Sequence, residues 1–412
     1  MKPLLKSIAS ALFLLSAGGL AAGRLAAAPT PRYEVIPLRS LPGTETEDTA
    51  YCNPCALNNK GECAGSAGVH ERFQAVRWDA DGSIHLLSTP VHRLFEAEGI
   101  NDQGQVIADA IPSKTFPGPR LYVVNKMGRV RLLKPPVGTQ TLDIGGEAIN
   151  NAGQTAFNVV TEAGFPFCAV LNTHGATKDL GHLLLRPATP QLKALMTHTQ
   201  IHALNNSGMA VGDRDTYVKG MNTVPAHAFI WRKGVMMDLG TLPGYDASSA
   251  TALNDRGDVI GMMTHLAEMQ FGPTVCLTAP HSGPNPAFHV HGFLWRNGVM
   301  TNLGALPGCR YTEPTSINDE GQIVGNSYNI VQEDGDLTLS GGALGSGVFL
   351  WQNGKMTDLQ TLVPSGWKLE SAVAINNRGD ILCTGHHNGM PSPALGSSAF
   401  LLRRVTPALS QK

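Results

Sequence analysis

Near the start of the chain, Tyr33 to Gly43 reads YEVIPLRSLPG, a phrase that returns as MMDLGTLPG ending at Gly244 and MTNLGALPG ending at Gly308. In the later copies it follows an apolar hairpin, as the last strand of a repeating unit. At the start it stands alone. The far end is complementary: AINNRGDILC (Ala374 to Cys383) and SAFLLRRV (Ser398 to Val405) supply the first three strands of a unit, and no fourth follows. A linear solenoid has no use for such a permutation, because it needs capping units at both ends. A ring does, since a blade shared between the termini closes the joint and ties down a free sheet edge.

Between these ends one short phrase recurs seven times. It is ALNNKG ending at Gly61, GINDQG at Gly104, AINNAG at Gly153, ALNNSG at Gly208, ALNDRG at Gly257, SINDEG at Gly321 and AINNRG at Gly379. Asn and Asp bond their own backbone in turns, and Gly supplies a positive φ, so the phrase predicts a tight hairpin. The other reading of Asn/Asp-x-Gly is a calcium loop, but the alternating oxygen ligands and closing Glu of such loops are missing.

A second hairpin separates successive copies: AFIWRKGVMMDLG from Ala228, GFLWRNGVMTNLG from Gly292 and VFLWQNGKMTDLQ from Val348. Weaker versions begin at Ala75, Leu121 and Ala169. Apolar strand, turn with Gly, second strand is hairpin grammar again. Each repeat thus supplies four short strands, lettered A (ALN), B (VIG), C (FLW) and D (MTDLG). Successive turn glycines lie 43, 49, 55, 49, 64 and 58 residues apart, and the shortest interval matches a four-stranded propeller blade. The expected fold is all-β: one seven-bladed β-propeller over residues 33–405 with four-stranded antiparallel blades. Its ring is closed by the N-terminal strand beside the three C-terminal strands, and residues 406–412 form a short tail. Trp78, Trp231, Trp295 and Trp351 share one register and are expected to fill the gaps between sheets.

Composition agrees. Charged residues are 15% of the chain while Gly (46) and Pro (27) abound, which suits short strands and tight turns better than long helices. A net charge of -1 offers no attraction to nucleic acid or an anionic membrane. Lys2 and Lys6, the apolar stretch Ile8 to Ala22 and the small residues Ala26 to Ala28 read as a secretory signal over residues 1–28. Pro29 disfavours cleavage directly after Ala28, so the cut site stays open. No later apolar run is long enough to span a membrane, and a secreted or periplasmic location is expected.

Strand order also sorts the connections. A–B and C–D turns share one face of the disc, and B–C and D–A connections share the other. The long connections all fall on the second face: about His265 to His291, Tyr328 to Ser346, His182 to Thr199, and Thr44 to Pro54. Irregular loops on a regular scaffold suit recognition. The plainer explanation is drift, because surface insertions cost little.

Signatures of chemistry are weak. Cys52-Asn53-Pro54-Cys55 has redox or zinc spacing but no second pair and no following helix. A local disulfide of Cys63 with Cys52 or Cys55 is the simpler expectation, and Cys276 with Cys309 is a candidate bridge across the blade 5 excursion. His289 with His291, and His386 with His387, offer metal nitrogens without a carboxylate or Cys at ligand spacing. No zinc-protease helix, Gly-x-Ser-x-Gly elbow or phosphate loop occurs. No catalytic, cofactor or metal residue is therefore assigned.

His227-Ala228-Phe229, followed by Ile230-Trp231 and Asp238-Leu239-Gly240, resembles the bacterial extracellular HAF-repeat family, which pairs this tripeptide with Ile-Asn-x-x-Gly-x-x-x-Gly, clear here at Ile317 to Gly325. The resemblance covers roughly Ile201 to Val405; the later blades read HGF, GVF and SAF. It implies an exported bacterial repeat protein and carries no catalytic residue over. The functional expectation is a non-catalytic module that binds a protein or glycan through the B–C/D–A face. A hydrolase or lyase acting on extracellular polymer around the central channel is the alternative, and a passive cell-surface component is a third.

Overall fold

The computed structural model describes residues 32–42, 50–69, 72–89, 93–110, 120–141, 148–161, 167–180, 195–218, 224–265, 290–333, 336–339, 347–388 and 398–405. Seven antiparallel blades follow one another around a ring, each running A-B-C-D from hub to rim. Blade 1 occupies Ala50–Leu57, Cys63–Val69, Arg72–Trp78 and Ile84–Leu86. Blade 5 occupies Ala247–Leu253, Val259–Thr264, Val290–Arg296 and Val299–Asn302. Each A strand contacts the A strands of both neighbouring blades, which places these strands around the hub.

The closing blade is built as the termini predict. Trp367–Ile375, Ser398–Val405 and the intervening Ile381–His387 supply A, C and B, and Arg32–Pro37 supplies D. The N-terminal strand runs antiparallel to strand C, with Tyr33 opposite Arg404 and Pro37 opposite Phe400. Leu38 N–H then donates to the Ala399 carbonyl at 2.9 Å.

Among the described residues each gap between blades holds a core cluster, and the gap between blades 5 and 6 holds a second, smaller one of Met262, Val290 and Tyr311. Phe229, Phe293, Phe349 and Phe400, the phenylalanines at the HAF position, are all fully buried in these gaps. Each buried aromatic side chain is worth roughly 1.5–3 kcal/mol of apolar transfer. The tryptophans do what their register implies: Trp78 packs against Leu382 and Ala399 of blade 7, and Trp231 against Ala156 and Leu171 of blade 3. Trp351 meets Ile260 and Leu294 of blade 5.

Turn chemistry matches the sequence. The C–D turns of blades 3 to 6 carry two consecutive residues at positive φ, as at Asn353 (52°) and Gly354 (78°), the type I′ pattern. The second glycine of the Ile-Asn-x-x-Gly-x-x-x-Gly phrase has a different cause. Strand A of blade 6 bulges between Pro314 and Ser316, which drives the Glu313 carbonyl toward Gly325; a Cβ there would lie 2.2 Å from that oxygen. No side chain fits.

Two connections are shorter than their sequence limits suggest. Strand A of blade 1 already begins at Ala50, and that of blade 4 (Leu195–Leu204) begins at Leu195, so only residues 43–49 and 181–194 remain outside the described elements. In blade 3 the A position is split: Thr139–Thr141 and Ala148–Ile149 pair with opposite ends of Thr155–Thr161. The blade 6 excursion contains an additional hairpin, Ile330–Glu333 with Asp336–Leu339. The blade 5 excursion, residues 266–289, lies outside the described residues and takes Cys276 and His289 with it.

Candidate functional site

The seven Asn-(Asn/Asp)-x-Gly turns meet around the mouth of the central channel. Their first asparagines, Asn58, Asn101, Asn150, Asn205, Asn254, Asn318 and Asn376, are each at most 5% exposed. In every copy Oδ1 accepts the N–H of the residue four positions on, which holds the turn. In every copy Nδ2 also donates to the backbone carbonyl of the equivalent asparagine one blade ahead, at 2.9–3.0 Å. The last of these bonds, Asn376 to Asn58, shuts the circle.

The second positions form another closed circle. Asn59, Asp102, Asn151, Asn206, Asp255, Asp319 and Asn377 each donate a backbone N–H to the side-chain oxygen of the next. A turn alone does not require Asn at the first position in every repeat. A buried amide that must accept from its own turn and donate to the next blade does. That invariance within one chain was the available signal for an inter-blade role.

Residues after the glycine complete the amide's bonding. Glu62, Gln105, Gln154, Asp258, Gln322 and Asp380 accept its second N–H. Where that residue is a carboxylate it is buried and carries a cation: Lys126 on Glu62, Arg256 and Arg296 on Asp258, and Arg378 on Asp380. Burial pushes the Asp258 carboxyl up, but the arginine and Asn254 bonds outweigh it and hold it below the usual aspartate value. These arginines and lysines reach across from C–D turns or from the same A–B turn, so both turn types occupy one face.

Along the inner wall, Ser249, Asp213 and His202 meet between blades 4 and 5. Ser249 Oγ donates to Asp213 Oδ1 at 2.8 Å, and His202 Nε2 lies 3.3 Å from the same oxygen. His202 Nδ1 is 2.9 Å from the Ala250 carbonyl. Serine and imidazole both address the carboxylate and not each other, whereas an activated hydroxyl needs the base on its own oxygen.

On the opposite face, D–A connections and the starts of the C strands bring polar and aromatic groups together in blades 4 to 6. His227 bonds Asp238 at 2.9 Å, and Asp238 also accepts the Gly240 N–H. In blade 5 the equivalent imidazole, His291, is 2.8 Å from the Tyr245 hydroxyl, which Asn302 also approaches. Beside them a cleft of about 530 Å³ is lined by His291, Asn302, Gly304, Ala305, Cys309 and Arg310.

The local disulfide expected of Cys63 does not form. Cys52, Cys55 and Cys63 are free thiols, and the Cys276–Cys309 candidate bridge lies partly outside the described residues. The expected disulfide fails on register: Leu57 pairs with Cys63 and Ala67 with Cys52, so Cys52 and Cys63 sit several rungs apart, about 13 Å along the strands. Cys55 lies in the bulge between Pro54 and Ala56 and also misses Cys63, beyond disulfide reach. Cys63 is instead a fully buried core residue against Trp78. His386 pairs with Glu370, while His387 packs edge-on to Trp367, as neighbours on opposite faces of a strand must. Among the described residues no group of three or more His, Cys, Asp or Glu is placed to hold a metal ion, and no helix is long and apolar enough to cross a membrane.

No protein-family model and no curated protein matches the sequence. Solved structures do resemble the chain. Against TolB from Acinetobacter baumannii the identity is 10% and the TM-score 0.39, covering 84% of this chain and 64% of that one. Against an oligogalacturonate lyase in complex with manganese the identity is 10% and the TM-score 0.47, covering 91% and 97%. Against prolyl oligopeptidase B from Galerina marginata the identity is 7% and the TM-score 0.47, covering 88% and 52%. The chain spans 64% of TolB and 53% of a Pyrococcus horikoshii acylaminoacyl peptidase. At such identities the likeness is one of fold alone: the chain is a seven-bladed β-propeller.

Proposed function

We propose that this propeller is an exported, non-catalytic binding module of the HAF-repeat type that recognises a protein or glycan through its B–C/D–A face. The observation that carries the reading is the contrast between the two hubs of polar groups. At the channel mouth the asparagine amides and backbone N–H groups are consumed by one another around the ring. On the other face, the cleft of blades 5 and 6 presents Arg310 and the outer edges of His291 and Asn302 to solvent. A guanidinium, an imidazole and a carboxamide around a concave surface suit recognition of hydroxyl and carboxylate groups. The Ser249–Asp213–His202 geometry on the inner wall supports the non-catalytic half of the proposal, because the serine donates to the aspartate.

The test is a glycan array and a pull-down with the purified protein, repeated with Arg310→Ala and with residues 266–289 replaced by a short linker. A ligand retained by the wild type and lost by both variants supports the reading. A ligand that both variants hold as tightly removes this face from the proposal, and turnover of an extracellular polymer would favour the hydrolase or lyase alternative.

A further inference from the structure

A second cleft lies on the turn face between blades 2 and 3. It is about 630 Å³, lined by Gln103, Gln105, Asn125, Lys126, Met127, Arg131, Asn151 and His174 among others, a volume in the range of small-molecule sites. It is distinct from the blade 5 cleft and lies on the other side of the disc.

Its chemistry is one-sided. Asn125 Oδ1 accepts from the N–H groups of Met127 and Arg129, Gln105 Oε1 accepts from Asn101, and Asn151 Oδ1 accepts from the Asp102 N–H. Backbone groups at the end of each chain of bonds fix these orientations: Asn101 can only donate to Gln105 because its own oxygen already caps its turn. The carboxamide oxygens are therefore turned into the protein. The NH₂ groups of Asn125 and Gln105 have no partner among the described residues, and Gln103 and His174 are exposed beside them. Arg131 makes a single long contact, 3.4 Å to Asn172 Oδ1. Burial lowers its proton affinity with no anion to offset it. Lys126 lies across Gly104, its ammonium bonded to Glu62, which leaves further N–H donors on the same group. Met127, 75% exposed, adds an apolar surface at the edge.

A cleft with surplus donors and a cation short of acceptors takes a ligand rich in lone pairs and bearing negative charge. We infer that this cleft binds an acidic saccharide unit, its carboxylate held by Arg131, its hydroxyl oxygens by the Asn125, Gln105 and Gln103 amides, and a C–H face by Met127.

Calorimetry of the full chain with tetragalacturonate tests this against three controls: a neutral tetrasaccharide, a poly-glutamate of equal charge, and the variants Arg131→Gln and Gln103→Glu. Gln103 is exposed, so its variant keeps the fold even if Arg131→Gln does not. The expected result is tetragalacturonate binding that falls about tenfold or more in both variants and is much weaker for the neutral sugar. Absence of binding, equal binding of the neutral sugar, or full binding by Gln103→Glu overturns the inference. Tighter binding of poly-glutamate reassigns the cleft to acidic protein and also overturns the inference.

Discussion

Asn376 donates its side-chain amide to the backbone carbonyl of Asn58 at 3.0 Å, across 318 residues of sequence. Six other bonds of the same kind link blade to blade, and this one joins the last repeat to the first. Ring closure is therefore enforced twice: by the Arg32–Pro37 strand near the rim and by this amide at the hub.

The amide circle predicts an asymmetry between the two asparagines of a turn. Asn318→Ala leaves the Gln322 N–H without its acceptor in a buried site and removes one of the two donors to the Asn376 carbonyl, the other being the Gly379 N–H. It is expected to cost about 2–4 kcal/mol. Asn206→Ala, at an exposed second position where water replaces the lost oxygen, is expected to cost under about 1 kcal/mol. Urea midpoints of the two variants check this, and equal midpoints would refute it.

Two glycines separate steric from conformational cost. Gly325→Ala places a Cβ 2.2 Å from the Glu313 oxygen and 2.8 Å from Phe349 Cζ, so strand A or the phenylalanine must shift. A loss of about 2–3 kcal/mol is expected. Gly354→Ala meets nothing within 4 Å and suffers only its positive φ, about 1 kcal/mol. Reversed ranking of the two melting temperatures would count against the bulge as the reason for the second glycine.

The His227–Asp238 pair makes stability depend on pH with a definite sign. The Asp238 bond raises His227 above 6.5, against a smaller opposing effect of burial. Burial pushes Asp238 up, but the bonds from His227 and the Gly240 N–H prevail and hold it below 3.8. The histidine's contribution is full below its unfolded value and is lost as pH rises through its higher folded value. The aspartate's is full above its unfolded value and is lost as pH falls through its lower folded value. The pair is strongest between about pH 4 and 6.5. Half-exposed, it is worth under about 1 kcal/mol. Wild type minus His227→Ala stability should thus be larger at pH 5.5 than at pH 8.5; a flat difference would contradict the assignment.

Thiol labelling checks the cysteine correction. Denatured, unreduced protein should expose at least the four thiols of Cys52, Cys55, Cys63 and Cys383. In the native state Cys63 and Cys383 should stay unlabelled, since burial both encloses them and pushes their thiols up. A Cys52–Cys63 peptide in the non-reduced digest would overturn the register given for blade 1.

Much of the architecture was legible because its determinants are local. Asn-x-x-Gly and Asn-Gly set turns from within a few residues, Phe229 and Trp231 show an alternation that needs no partner to read, and the Tyr33 phrase supplies the fourth strand beside Ser398 to Val405. Other features exist only once the ring is shut. The Nδ2 of Asn58 finds the Asn101 carbonyl, Gly325 meets the Glu313 oxygen, and Cys63 is carried away from Cys52 by strand register. So too the outward-turned amides of Asn125 and Gln105 depend on which acceptors the neighbouring turns consume. Hydrogen bonds from a side-chain amide to a backbone carbonyl some 43 to 64 residues away leave no periodic trace in a single strand, because their partners are chosen by packing around the hub.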